Sequence, residues 1–467
     1  MYNIMYCELK EMQNNEGVKG KENERFLYNL LFERFGPDCV YDSPKYVKNN
    51  GEVKELADIV ILALPYAILF QMKWKDISRC DILGVNGEVE WKRVVRAFGK
   101  AAKQFNDFRS LWEHKALIEF PQQWCPRDNT CYELDLGLVK YIVPIAIVDF
   151  FDDKYNDPSS RIAVPPIVLN APDSIDKYGS VHAFLLRDFE RIINDLFTVG
   201  DLITYLKLRE KQVLCDEKFV YYSEMDLFAI FLARYDIWND LLNSNRVVIE
   251  RGIYEDVCER NRRRFEERRR LFSQEDFVDS ILRGSVMAFV NVAAPGNLSA
   301  EAIRPLLEFA GRVNCMTSLM KKLVSDKIRY NIDHWIPPKD ITKEYGMLSS
   351  IGRFAEIVLP TTVFQIVVAG FSDNTMGTVI ADLYYRLLRR MRNANKEKDV
   401  SEVLLILING CDRRIFPFLR YINMEDYDVA DKYMSQLPND SRLTVEPILD
   451  SEWTYTKRHS EKYRNNT

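Results

Sequence analysis

Two neighbouring apolar runs constrain the fold more than any other feature of this sequence. Residues 56–63 read LADIVILA, residues 66–73 read YAILFQMK, and only Leu64 and Pro65 separate them. Short runs that are rich in β-branched and aromatic residues and joined by a tight turn predict a β-hairpin. The chain is therefore expected to contain at least one antiparallel pair of buried strands.

The polar residues of this hairpin fall on one of its faces. If the turn is centred between its two linking residues, Asp58 lies directly opposite Gln71, and the Cβ atoms of opposed residues are about 5 Å apart on the same face. Because side chains alternate along a strand, Lys73 shares that face. The other face is apolar and is expected to be core: Ile59, Ile61, Ile68, Phe70 and Met72. The three polar residues are thus expected to converge at the open end of the hairpin.

Such a group suits the hydrolysis of a phosphodiester. A divalent cation such as Mg²⁺ binds oxygen ligands, which the carboxylate of Asp58 and the amide carbonyl of Gln71 can supply. The metal lowers the pKa of a bound water, and Lys73 can stabilise the charge that develops in the transition state. Glu24, in a helix predicted over residues 20–35, could bind the metal directly or through water. In the alternative interpretation, Asp58 and Lys73 are solvated strand ends and Gln71 is an edge residue.

The same residues resemble the motifs of a known family. The motifs are Gly20-x-x-x-Glu24 in the first helix, Glu55-Leu56-Ala57-Asp58 at the start of a strand, and Gln71-x-Lys73 in the next strand. They are similar to those of the PD-(D/E)xK nuclease superfamily, and most similar to its Mrr-like, restriction-endonuclease-like branch, in which glutamine replaces the acidic residue before x-Lys. The resemblance covers residues 18–150, and it implies a mixed sheet flanked by helices.

The resemblance also implies a role for each residue. Asp58 would be the main metal ligand and Gln71 a second, neutral ligand, with the backbone carbonyl of Met72 as a further one. Lys73 would be the catalytic lysine and Glu24 the helix carboxylate. A polar-faced helix is expected beside such a site, and three residues of the helix predicted over residues 91–114 would then contact nucleic acid: Lys100, Lys103 and Gln104.

The periodicity along the chain predicts an α/β or α+β protein with several parts. A strand is predicted over residues 141–150, and mainly helical sequence follows from Val181. Further strands are predicted over residues 286–293, 363–370 and 403–409, and helices over residues 299–312, 317–328 and 378–392. The expected parts are a nuclease domain (1–150), a helical extension packed on it (151–245), a charged helical connector (246–282), a C-terminal α/β regulatory or recognition domain (283–450) and a polar tail (451–467).

An arginine-rich stretch in the connector is a second candidate for nucleic-acid binding. Residues 260–270 read RNRRRFEERRR, and helical spacing aligns Arg260, Arg264 and Arg268, with Arg263 nearby. Such a stripe could neutralise several phosphates. A solvated helix whose glutamates pair with the arginines, or a surface for an acidic protein partner, explains the stretch equally well.

Composition and charge exclude several other classes of protein. The chain has 467 residues, of which 47% are hydrophobic and 28% charged, a globular mixture. A formal charge of −5 excludes a wholly basic nucleic-acid binder. The nine cysteines form no CxxC pair and the four histidines have no partner at metal-ligand spacing, which argues against zinc hydrolases. Without a membrane-spanning run or a signal pattern, a cytoplasmic protein that makes no membrane contact is expected.

These observations predict a Mg²⁺- or Mn²⁺-dependent endonuclease. DNA is the expected substrate, and analogy with soluble nucleases of this branch suggests an anti-phage defence or restriction effector. Two alternatives stay open: an RNA nuclease that uses the same site, and a non-catalytic scaffold built on a degenerate nuclease fold. Cleavage of a duplex would favour a homodimer, since one such metal site cuts one strand.

Overall fold

The chain folds into two compact units. The first comprises Met1–Phe272 and Ala294–Ser318, and the second comprises Ser273–Ala293 and Leu319–Thr467. The structure, a computed structural model, describes these residues: 16–36, 39–47, 53–75, 105, 117–121, 131–135, 138–150, 167–169, 180–214, 219–220, 223–234, 247–248, 254, 308, 311–317, 321, 351–358, 362–370, 376–393, 395, 400–409, 415–436 and 449–451.

The first unit is a mixed α/β structure. Its helices are α1 (Glu16–Phe35), α2 (Leu186–Asp195), α3 (Val199–Leu214) and α4 (Glu224–Arg234). Its strands are β1 (Val40–Asp42), β2 (Lys45–Val47), β3 (Val53–Glu55), β4 (Ile59–Ala63), β5 (Tyr66–Lys75), β6 (Leu117–Pro121), β7 (Cys131–Asp135), β8 (Tyr141–Phe150), β9 (Ile167–Leu169), β10 (Val181–Leu185), β11 (Phe219–Val220) and β12 (Val247–Val248).

A six-stranded mixed sheet organises this unit. Its strand order is β1-β4-β5-β8-β10-β9, in which β5, β8 and β10 run parallel and the other neighbours are antiparallel. In the hairpin of β4 and β5, Ile59 lies opposite Phe70 and Ala63 opposite Tyr66, so the predicted hairpin and its register are confirmed. A smaller antiparallel sheet has the order β3-β2-β6-β7, and β11 pairs with β12.

Helices cover one face of the large sheet. The buried side of α1 carries Leu27 and Leu31, which lie at helical spacing, and the helix ends at Gly36, whose φ of 91° is left-handed. Side chains of α1, α2, α3 and α4 share one core with the odd-numbered residues of β4 and the even-numbered residues of β5. All five residues that the sequence analysis assigned to the core are buried there: Ile59, Ile61, Ile68, Phe70 and Met72.

The helical prediction from Val181 onward is wrong in its first part. Residues 181–185 form strand β10, which pairs in parallel with β8, and helix α2 begins only at Leu186. The sequence VHAFL extends the sheet because β8 offers it a hydrogen-bonded partner, a long-range contact that local periodicity does not reveal. The sheet therefore takes strands from beyond residue 150, where the sequence analysis ended the first domain.

The second unit is also a mixed α/β structure. Its elements are β13 (Ile351–Val358), β14 (Thr362–Ala369), α5 (Met376–Asn393), β15 (Glu402–Asn409), β16 (Ile415–Tyr421), α6 (Met424–Gln436) and β17 (Leu449–Ser451). The strand order is β16-β15-β14-β13-β17, and side chains of α5 and α6 pack on β14 and β15.

The structure confirms the predicted strands over residues 363–370 and 403–409 and the helix over 378–392. Strand β16 was missed because Pro417 interrupts its apolar run. Among the strands described in this sheet, β16 is an edge strand, a position that tolerates proline.

Several predicted elements lie wholly or mostly outside the described residues: the helices over 91–114, 299–312 and 317–328, and the strand over 286–293. Of the helices that are described, none combines the length and the apolar character needed to cross a membrane.

Candidate active site at the open end of the hairpin

Asp58 and Gln71 meet at the open end of the hairpin, as the register predicted. Asp58 immediately precedes β4, and Gln71 lies in β5. The Gln71 amide donates a hydrogen bond from Nε2 to Asp58 Oδ1 over 2.5 Å, and the backbone N–H of Met72 donates to Asp58 Oδ2 over 2.6 Å. The carboxylate therefore spans the two strands at the point where the hairpin ladder ends.

The main chain of Asp58 is held from both sides. Its N–H donates to the carbonyl of Phe70 over 3.1 Å, and its carbonyl accepts from the backbone N–H of Ser43 over 2.9 Å. The Ser43 hydroxyl lies 3.2 Å from the same carbonyl and 3.1 Å from Asp42 Oδ1, so its single proton can serve either acceptor. Ser43 has a left-handed φ of 40°, a conformation that costs free energy for a residue with a side chain.

The role of Ser43 was missed by the sequence analysis. Its only sequence signal is the Asp42-Ser43-Pro44 run, which is typical of a turn. The position of Asp58 thus depends on a strained turn next to β1 as well as on the hairpin itself.

Gln71 is not an edge residue, so that part of the alternative interpretation is wrong. Strand β5 lies between β4 and β8 in the sheet, and Gln71 is only 5% exposed. A buried amide costs free energy unless it is hydrogen-bonded, and the Asp58 carboxylate supplies that bond. The pair is therefore a part-buried polar contact in the interior of the sheet, with Gln71 buried and Asp58 half-buried.

The pair lies where the ladder between β4 and β5 ends, in the middle of the parallel strands. Gln71 is in register with Ala146, and β5 and β8 both continue for four more residues beyond this position. Lys73 lies two residues beyond Gln71, in register with Val148; its side chain is outside the described part of the structure.

The helix carboxylate belongs to a different side of the sheet. Glu24 lies in α1, which packs on the face that carries Phe70, whereas Gln71 alternates with Phe70 and so faces the other way. Among the described residues, no three His, Cys, Asp or Glu side chains come together as a metal-binding group. Any metal here would therefore depend on Asp58, Gln71 and main-chain oxygens.

The donor set of the pair fits a hard divalent cation. Carboxylate and amide oxygens are ligands that Mg²⁺ accepts, but the group of Gln71 that faces Asp58 Oδ1 is its amide nitrogen, over 2.5 Å. The amide presents its N–H to the carboxylate, so it must turn over to offer Oε1 to a cation. One carboxylate and one neutral amide also supply less charge than two carboxylates would.

The predicted nucleic-acid contacts lie outside the described residues. They are Lys100, Lys103 and Gln104 of the helix predicted over residues 91–114, and Arg260, Arg263, Arg264 and Arg268 of the connector. They stay predictions from the sequence.

A second polar cluster lies in the core on the helix-covered face. Arg209 of α3 is fully buried; its Nε lies 2.8 Å from Glu224 Oε1, and one of its terminal nitrogens donates to the Ala183 carbonyl over 2.8 Å. The Tyr205 hydroxyl also donates to Glu224. His182 Nδ1 lies 3.3 Å from Arg209. The cluster ties α3 and α4 to β10.

Burial shifts the titration of two members of this cluster. Desolvation, and then the positive charge of Arg209, lower the pKa of His182 well below its usual value. Desolvation, and then the nearby Glu224, raise the pKa of Tyr205 well above its usual value. His182 lies in strand β10, and its place in this buried cluster is that of a structural residue.

The comparisons with known proteins add no family to this picture: no family model, no curated protein and no solved structure matches the chain.

Proposed function

We propose that the first unit hydrolyses phosphodiester bonds in nucleic acid, with Mg²⁺ or Mn²⁺ bound at Asp58 and Gln71. The observation that carries this proposal is the part-buried contact between these two side chains where the ladder between β4 and β5 ends. Lys73 follows in the same strand, at a register position on the face of Gln71. A mixed sheet with helices on one face also agrees with the restriction-endonuclease-like fold that the sequence motifs imply.

Each residue of the proposed site would have a separate role. Asp58 and Gln71 would hold the ion, with the Met72 carbonyl as a further ligand; the ion, when bound, supplies a Lewis acid and an activated water. The ammonium of Lys73 would donate to the phosphate oxygens on which negative charge develops. The bonds from Met72 and Ser43 to Asp58 fix the carboxylate before any ligand arrives, which lowers the cost of reorganisation.

A second candidate is a non-catalytic scaffold built on the same fold. One observation favours it: both oxygens of the Asp58 carboxylate already accept hydrogen bonds, from Gln71 and Met72. A pair that is satisfied in this way stabilises the hairpin without any metal. The two candidates therefore differ in one measurable property, metal binding that requires Asp58.

A cleavage assay tests the proposal. Wild-type protein and the Asp58→Asn, Lys73→Ala and Lys45→Ala variants are incubated with plasmid DNA and, separately, with RNA, in Mg²⁺, Mn²⁺ or EDTA. Lys45 is an exposed lysine of β2 and serves as the matched control. We expect cleavage that disappears in EDTA and in the first two variants but not in Lys45→Ala. Cleavage by Lys73→Ala at the wild-type rate would refute the proposed site, and the substrate that is lost decides between DNA and RNA.

Calorimetry separates a silent enzyme from a scaffold when no cleavage is seen. Asn at position 58 keeps the shape of the side chain and can still accept the Met72 N–H, and the Gln71 amide can turn over so that its Oε1 accepts from the new Nδ2. Asp58→Asn therefore removes the charge and keeps both hydrogen bonds of the pair. If wild type binds Mg²⁺ and Asp58→Asn does not, the protein has a metal site and needs an activator for cleavage. Equal heats for both proteins would favour the scaffold. Gln71→Glu adds a carboxylate and should strengthen metal binding.

A further inference from the structure

Two stacked tyrosines lie at the amino-terminal ends of two parallel strands of the same sheet. Tyr66 and Tyr141 are the first residues of β5 and β8 and are register partners. Their rings stack with centroids 4.8 Å apart and an interplanar angle of 23°. Tyr141 is 42% exposed, one of the few large apolar side chains on the described surface. The backbone N–H groups of Lys140 and Tyr141 both donate to the Pro65 carbonyl, which fixes the main chain beneath the ring.

An exposed cation lies beside this pair. Lys207 of α3 is exposed, and its Nζ donates to the Tyr66 hydroxyl over 2.6 Å. Burial raises the pKa of Tyr66, and Arg312 partly offsets that rise. We call Tyr66, Tyr141 and Lys207 the tyrosine patch.

We propose that the tyrosine patch binds a single-stranded segment of nucleic acid, with a base stacked on Tyr141 and a phosphate held by Lys207. An exposed aromatic face next to a cation is the combination that binds unpaired nucleotides. The bases of a duplex are already stacked on each other and offer no free face. The inference deepens the proposed nuclease function and depends on it only for its biological purpose, because binding at the patch needs no metal.

The patch is well separated from the candidate active site. Tyr66 and Gln71 are five residues apart along β5, about 17 Å at about 3.3 Å per residue. Substitutions at Tyr141 or Lys207 therefore leave the bonds around Asp58 unchanged. Binding and cleavage can be measured independently.

Fluorescence anisotropy with a short labelled single-stranded DNA and its matching duplex, in EDTA, tests the inference. Loss of stacking in Tyr141→Ala should weaken single-strand affinity by roughly 5- to 150-fold, whereas Tyr141→Phe keeps the ring and should bind like wild type. Lys207→Gln should weaken binding and lower the slope of log affinity against log salt by about 0.7. Tyr421→Ala is the control, since Tyr421 is 38% exposed in the second unit. Thermal unfolding checks that each variant is folded.

Several outcomes would overturn the inference. Wild-type protein that does not bind the single strand, or Tyr141→Ala that binds as well as Tyr421→Ala, would remove the patch from nucleic-acid binding. Base stacking would be refuted if Tyr141→Phe lost as much single-strand affinity as Tyr141→Ala. It would also be refuted if Tyr141→Ala weakened binding of the duplex as much as binding of the single strand. A protein that cuts nothing but binds single strands through Tyr141 would refute the nuclease and leave this inference intact.

Discussion

Acid should destabilise the first unit through His182. This side chain is 2% exposed, and its Nδ1 lies 3.3 Å from the Arg209 guanidinium. A proton on the ring would place a second cation beside Arg209 in the core, so burial and Arg209 hold the pKa of His182 well below 6.5 in the folded protein. In the unfolded chain the same histidine titrates near its ordinary pKa of about 6.5.

The size and sign of the effect follow from this difference. Below about pH 6.5 the unfolded chain binds a proton that the folded protein does not, so the free energy of unfolding falls as the pH falls. When the pKa of folded His182 lies far below the pH window from 5.5 to 7, the free energy of unfolding is about 1.4 kcal/mol lower at pH 5.5 than at neutral pH. Tyr205, in the same cluster, titrates well above this window.

Chemical denaturation at pH 7.5 and pH 5.5 measures this loss. Wild type is compared with His182→Asn, whose side-chain oxygen can still accept from Arg209 but does not titrate. The other three histidines of the chain are common to both proteins, so their contribution cancels in the difference. We expect wild type to lose about 1.4 kcal/mol more than His182→Asn. An identical pH dependence in the two proteins would refute the buried, neutral state of His182.

Three further predictions concern the stability of the first unit. Arg209→Met leaves the buried Glu224 without its cation and should lower the free energy of unfolding by about 3–5 kcal/mol. Adding Glu224→Gln removes the unpaired charge and should restore part of that free energy. A double variant that is less stable than Arg209→Met would contradict this reasoning. A Cβ atom at Gly311 would lie 2.4 Å from the backbone nitrogen of Leu64, so Gly311→Ala should lower the free energy of unfolding by about 1–3 kcal/mol. At Gly20, inside α1, a Cβ meets nothing within 4 Å, so Gly20→Ala should instead stabilise by about 0.5–1 kcal/mol. Denaturant unfolding measures all three, and equal effects of the two glycine variants would refute the clash at Leu64.

The hairpin and the face of each of its residues follow from local spacing along the chain. The turn lies between two runs that are adjacent in the chain, and side chains alternate strictly along a strand. Locating the turn at Leu64 and Pro65 was therefore enough to bring Asp58 and Gln71 together. The same local logic predicted α1, β8 and, in the second unit, β14, α5 and β15.

The partners that those elements take depend on contacts between segments that are far apart in the chain. Residues 181–185 became a strand because β8 pairs with them, and Gln71 became an interior residue because β8 covers the other edge of β5. The cluster around Arg209 joins side chains from three separate elements, and no local pattern links them. Ser43 reaches Asp58 only because β1 pairs with β4. Pairing between neighbouring segments can be inferred from their spacing along the chain. Pairing between distant segments depends on how whole elements pack together, which the sequence of one segment does not determine.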